Sequence, residues 1–225
     1  VKATYGQTTL TPAITAPQRT GYAFGGWTKT QNGEDYIIST SGSLIANKTN
    51  YTSSSGAWIY DGNLTLYAKW TPYSYNVTFS SGNDNVTLNS TTYAQMNVKY
   101  DEVLEIPNPS QTGYTFDGWT CTSGAFSTAE AKHIEGSTTA TWNGTKYAGK
   151  YGVVNLKNLT TSDKNPTINL VANFTAKEVN YTVYHYLENL DATGTLTTSN
   201  CTLANTDNLT AKTDTSVTPE VKSYT

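Results

Sequence analysis

Residues 21–27 read "GYAFGGW" and residues 113–119 read "GYTFDGW". The same seven-residue phrase thus occurs twice, ninety-two residues apart, with only its third and fifth positions changed. Self-similarity at this spacing marks a tandem-repeat architecture, in which each repeat is one small folding unit. The text around the phrase repeats as well. Tyr5, Pro17, Gly21, Tyr22, Phe24, Gly26, Trp27 and Trp70 find counterparts in Tyr100, Pro109, Gly113, Tyr114, Phe116, Gly118, Trp119 and Phe174. A third unit starts at "VNYTVYHYLENLDATG", where Tyr181 and Val183 echo Tyr75 and Val77. The expected division is 1–72, with its opening strand missing, then 73–176 with a long insertion at 120–165, and a partial unit at 177–225. The connections "TPYS" (71–74) and "TAKE" (175–178) are short, which predicts a semi-rigid, elongated arrangement.

Composition supplies the element type. Thr, Asn and Ser number 42, 21 and 18 of 225 residues, and 17 Tyr and 17 Gly accompany them. Thr and Tyr favour strands, whereas Asn, Ser and Gly favour turns. In "YNVTF", Tyr75, Val77 and Phe79 alternate with Asn76 and Thr78; in "LTLYAKW", Leu64, Leu66, Ala68 and Trp70 do the same. That period of two gives each strand one apolar face. A single helix signal is present: Ser127-Thr128-Ala129-Glu130 fits a capping box before "AKHIE". The fold class expected is therefore all-β to α+β, with mostly antiparallel strands. Within the repeated phrase, Trp27 stands three residues beyond Phe24, so a regular strand would turn it away from the core. A bulge at Gly26, and at Gly118 in the second copy, restores both tryptophans to the core face.

Chemistry is scarce. There are 17 acids against 14 bases and no Lys/Arg cluster, so nucleic-acid binding is not expected. No apolar run reaches the roughly 20 residues of a membrane-spanning helix. His133 falls in the predicted helix and His185 at the position of Phe79, neither beside a nucleophile phrase. Cys121 is alone in its segment and Cys201 in its own, so no zinc pattern of closely spaced Cys and His forms, and free thiols are expected. "NLDATG" (189–194) begins like a calcium loop, yet Asn200 stands where the bidentate Glu belongs, so a turn is expected. Asp101, Glu102 and Glu105 form a local acidic face with nothing converging on it. The 12 Asn-x-Ser/Thr sequons are what a chain this rich in Asn and Thr produces by chance. Neither a catalytic group, a metal nor a cofactor is expected.

Taken together, "RTGYAFGGW", its second copy and "LTLYAKW" resemble the Listeria–Bacteroides repeat, also called the internalin B-type repeat, and the third unit resembles mucin-binding-protein repeats. The second copy departs from the pattern in having Gln111 where Arg19 stands in the first. The resemblance implies small β-grasp-like repeats on an extracellular, bacterial cell-surface protein. A stalk and host-ligand module of an adhesin follows, with a host protein (matrix protein or immunoglobulin) or a host glycan as partner beside the neighbouring repeats. The competing expectation is an accessory carbohydrate-binding or scaffold region of a secreted glycan-degrading enzyme. Gly21, Tyr22, Phe24, Gly26, Trp27, Trp70 and Gly113, Tyr114, Phe116, Gly118, Trp119 are read as structural signature. Trp58 and Tyr60 in "GAWIYDG", and Trp142 and Tyr147 in "TWNGTKY", sit in the segments that do not repeat. They are the candidate ligand contacts, as aromatic platforms among small polar residues.

Overall fold

Alternating sequence becomes strands throughout. The computed structural model describes residues 1–121, 123, 125–126, 132–133 and 153–224. Every regular element among them is a strand: β1 (Lys2–Ala3), β2 (Leu10–Thr11), β3 (Tyr22–Thr28), β4 (Tyr36–Ile38), β5 (Tyr67–Pro72), β6 (Ser74–Ser81), β7 (Met96–Lys99), β8 (Leu104–Pro107), β9 (Tyr114–Cys121), β10 (Lys132–His133), β11 (Val153–Lys157), β12 (Thr167–Ala176), β13 (Glu178–Glu188) and β14 (Cys201–Lys212). The capping-box reading fails where it can be examined. Lys132 and His133 pair antiparallel with Lys157 and Leu156 instead of continuing a helix, because sheet pairing outweighs a weak local propensity. Ser127–Glu130 lies outside the described residues.

The strands form sheets ordered β4-β3-β5, β7-β6-β12-β9 and β10-β11-β8, with hairpins β1-β2 and β13-β14. All pairs are antiparallel except β12 with β6, which run parallel in register from Thr167↔Asn76 to Ala172↔Ser81. The core of the second unit gathers around Trp119, Tyr75, Val77, Ile168 and Leu170, all essentially fully buried. A smaller core in the first unit centres on Ile37, Ile38 and Trp58.

The repeated phrase builds the same object twice. In β3 the pairing with β5 shifts between Phe24 and Gly26; in β9 the pairing with β12 shifts next to Asn173/Phe174, opposite Phe116 and Gly118. Gly26 has φ +113° and Gly118 φ +126°, values an L side chain rarely adopts. The bulge sits where the spacing placed it. Trp119 is fully buried, whereas Trp27 is only half-buried.

Registers also fix which residues correspond. Trp70 pairs with Phe24 as Phe174 pairs with Phe116, and Ala68 pairs with Trp27 as Ala172 pairs with Trp119. Continued without a gap, this aligns Tyr75 with Val179 and Val77 with Tyr181. The third unit therefore slips by two residues from the sequence reading. Tyr181 answers Val77 and Val183 answers Phe79, while His185 answers Ser81. A slip of two keeps every side chain on its face, so the alternation alone could not reveal it.

Candidate functional site at the repeat joints

What passes for a linker is a single residue. β5 ends at Pro72 and β6 starts at Ser74; β12 ends at Ala176 and β13 starts at Glu178. The residue between, Tyr73 or Lys177, is bonded on both sides. The Tyr73 amide donates to Gly21 O (2.8 Å) and its carbonyl accepts from the Tyr100 amide (2.8 Å). The Lys177 amide likewise donates to Gly113 O (2.8 Å), and its carbonyl accepts from the Thr213 amide (2.9 Å).

Side chains complete each joint. The Tyr22 hydroxyl donates to Asp101 Oδ2 (2.8 Å), and the Tyr114 hydroxyl donates to Asp214 Oδ2. Both aspartates hold left-handed backbone, φ +66° at Asp101 and +60° at Asp214, in turns closed by Glu102 N to Lys99 O and Thr215 N to Lys212 O. Asp and Asn tolerate that conformation better than most residues. Gly21 lies against the ring of Tyr100 so closely that an added Cβ would stand 2.3 Å from it; at Gly113 the same atom would stand 2.7 Å from Thr213. The Gly-Tyr half of the repeated phrase is thus the socket for the next unit, and the Phe-x-Gly-Trp half is core.

The first joint carries more contacts than the second. Tyr22 meets Tyr100 edge-on at 5.7 Å, and the Arg19 guanidinium lies 3.7 Å from the Tyr22 ring centroid and 4.0 Å from Asp101 Oδ2. Gln111 replaces that arginine at the second joint. Asn158, itself buried, accepts from the Asp101 amide (2.7 Å) and donates to Asp101 Oδ1 (3.1 Å). These bonds, Asn158 first and Tyr22 next, hold the Asp101 carboxyl below its ordinary value. Burial, then the Asp101 carboxylate, pushes the Tyr22 phenol up. Sequence reading found Gly21 and Tyr22 but took them for internal signature. It read Asp101 as part of an acidic face with nothing converging on it, whereas Tyr22, Arg19, Lys157 and Asn158 all reach its carboxylate. It missed Asp214 and Asn158; the signal for the two aspartates was an Asp after Lys-Tyr or Lys-Thr.

A profile of the Listeria-Bacteroides repeat domain matches residues 1–49 and 75–148. The chain belongs to this family. No solved structure matches it. The two matched segments of this Listeria-Bacteroides repeat protein each contain one copy of the Gly-Tyr socket and the glycine bulge. The repeat family points to a surface-protein repeat region.

The candidate ligand contacts fare differently. Trp58 is 7% exposed, packed with Ile37 and Ile38, and its backbone bonds with Gly6 and Gln7, so its ring belongs to the first unit's core. Tyr60 is half-buried beside it, with ring centroids 6.0 Å apart. The reason is local: the insertion folds back over β3 and supplies the apolar cover a small sheet lacks. Trp142 and Tyr147 lie outside the described residues. Cys121 and Cys201 are free thiols. Segment 189–194 turns at Asn189, whose carbonyl accepts from the Ala192 amide (2.9 Å). His185 Nε2 lies 3.0 Å from Asp207 Oδ2, and Lys222 pairs with the same carboxylate.

Proposed function

We propose that this segment is a non-enzymatic stalk and interaction region of a bacterial cell-surface adhesin, built from β-grasp-like repeats in an elongated array. Sheet order β7-β6-β12-β9 with its parallel central pair supports the β-grasp reading. The single observation that carries the stalk reading is the joint built twice with the same parts. A one-residue connection bonded on both sides, with a tyrosine–aspartate bond across it, transmits orientation from unit to unit. Flexible linkers would hold their neighbours loosely. Ligand recognition falls to exposed loops and strand edges, with a host protein or host glycan as the partner class.

Orientation is what the test must read. Residual dipolar couplings report the alignment of residues 1–72 relative to 73–176. The unmodified chain is expected to fit one common alignment tensor. Gly21→Ala forces a Cβ into Tyr100 at a positive φ, and is expected to give separate tensors while each unit's own couplings persist. Separate tensors already in the unmodified chain would rule out the stalk.

A further inference from the structure

A cleft of about 330 Å³ opens in the second unit. One wall comes from residues 86–93, in the connection from β6 to β7, and the other from residues 107–110, at the end of β8 and just beyond it. Small-molecule sites are concave and occupy about 300–1,000 Å³, so the cleft has room for a small ligand.

The core holds the apolar part of the cleft in place. Val86 and Pro109 are buried and Leu88 is half-buried. The Tyr93 ring meets Phe79 edge-on at 5.8 Å and Trp119 at 5.6 Å, which fixes its plane. Its hydroxyl donates to Pro107 O (3.0 Å) and ties the two walls together. Asn89 orders the turn that leads to Tyr93. Its Oδ1 accepts from the Thr91 and Thr92 amides (3.0 Å each), and its carbonyl accepts from the Tyr93 amide (2.9 Å). A site whose walls are ordered before binding loses less freedom when a ligand arrives.

The polar part of the cleft is uncommitted. Thr87, Thr92 and Ser110 are exposed, and none of their hydroxyls bonds a described residue; the Asn89 Nδ2 is equally unengaged. The same residue types on the outer face of the neighbouring sheet bond one another instead. Asn97 donates to Asn76 (3.1 Å), Thr78 to Asn169 (3.2 Å) and Asn173 to Thr120 (3.1 Å).

What such a cleft can hold follows from what its walls lack. None of its wall residues is Lys, Arg, His, Asp or Glu, so neither an anion nor a cation finds a counter-charge there. A charge brought into it would exchange water for neutral partners, at a cost. A peptide strand is refused as well. Pro107 and Pro109 offer no N–H, and Pro107 already pairs with Val153 of β11. A neutral ring with hydroxyls at its rim and C–H groups on its faces satisfies both halves of the cleft. We propose that the cleft is a binding subsite for a neutral saccharide. Its hydroxyls bond Thr87, Asn89, Thr92 and Ser110, and one C–H face lies over Leu88 and the open part of Tyr93. This rests on the reading of the segment as an interaction region, and it gives the glycan proposed there a place and a chemistry.

The probes are the methyl glycosides of glucose, galactose, mannose and N-acetylglucosamine, with methyl glucuronide as a charged counterpart. Added to the full chain at millimolar concentration, at least one neutral glycoside is expected to shift the amide resonances of Thr87–Tyr93 and Ser110 saturably. Methyl glucuronide is expected to bind at least tenfold more weakly than that glycoside, since its carboxylate meets no cation in the cleft. Thr87→Val with Thr92→Val removes two hydroxyls at nearly constant shape. The double variant is expected to bind at least tenfold more weakly, with amides outside the cleft unmoved. No saturable shift with any of the neutral glycosides would overturn the proposal. So would shifts confined to other surfaces, unchanged affinity in the double variant, or a glucuronide that binds as tightly as the neutral glycosides. None of these results bears on the stalk, which is ruled out only by separate alignment tensors in the unmodified chain.

Discussion

Two adjacent glycines in "GYAFGGW" have opposite tolerances, and the difference separates backbone demand from composition. Gly26 sits at φ +113°, and a Cβ there would stand 2.7 Å from the Ile38 carbonyl oxygen. Gly25 holds no positive φ, and its nearest neighbour is a flexible Lys69 side-chain carbon at 3.3 Å. The second copy agrees, with Asp117 in place of Gly25 and Gly118 in place of Gly26. Forcing an L residue into such a conformation costs about 1–3 kcal/mol, and the backbone clash adds a comparable amount. Gly26→Ala is therefore expected to lower the stability of the first unit by about 2–4 kcal/mol. Gly25→Ala should change it by less than about 1 kcal/mol. Urea unfolding followed through Trp27 fluorescence distinguishes the two, and equal losses would show that the bulge is not what the second glycine serves. This much was legible in the sequence, because a three-residue step between two core aromatics demands an irregularity and only one glycine inside that step is common to both copies.

Elements were legible in kind and not always in partner. Period-two alternation identifies a strand without naming its neighbour, which is why the third unit's register slipped by two and Lys132–His133 looked helical. The insertion at 28–62 carried a hidden regularity too. Ser39–Ser43 and Ser53–Ala57 form two similar turns, each closed by a backbone bond of 2.8 Å, with Gly42 and Gly56 at φ +85° and +82°. Beside them Ile38 and Trp58 are buried, although the sequence offered Trp58 as a ligand contact because its segment does not repeat. The joint stayed hidden because its halves, Gly21-Tyr22 and Asp101, are about eighty residues apart in sequence. The β13–β14 hairpin is the least supported element. It is a two-stranded sheet with Val179, Tyr184, Tyr186 and Leu187 all more than 40% exposed. Two-stranded hairpins are marginal in water without a packed face. Amides in the middle of β13 are expected to exchange at least about a hundredfold faster than those of β12, a difference of about 3 kcal/mol in opening free energy. Equal protection by hydrogen-exchange mass spectrometry would mean that the hairpin packs on a face the structure leaves open.

For the molecule as a whole, the joint between the first and second units is also its acid-sensitive point. Asp101 receives bonds from Asn158 and Tyr22 and stands within 3.6 Å of Lys157, and its carboxyl is held below the ordinary 3.8. A carboxyl whose folded value is depressed contributes stability above its unfolded value, and that contribution disappears as pH falls through the folded one. The window therefore opens near pH 4 and extends downward. Because the Asp101 side chain is 41% exposed, solvent screening limits the effect to less than about 1 kcal/mol. That is too little to unfold either unit, and it acts on the one side-chain bond, Tyr22 to Asp101, that the two joints share. Between pH 6 and pH 3 the alignment shared by the first two units is expected to weaken, while the internal couplings of each stay constant. Asp101→Asn keeps the shape, removes the titration and weakens the bond to the Tyr22 hydroxyl. Its joint is expected to be looser than the unmodified one at pH 6 and insensitive to acid down to pH 3. A variant that still loosened with acid would place the titrating group elsewhere, and a variant as ordered as the unmodified chain at pH 6 would remove the Tyr22–Asp101 bond from the account of how orientation passes between repeats.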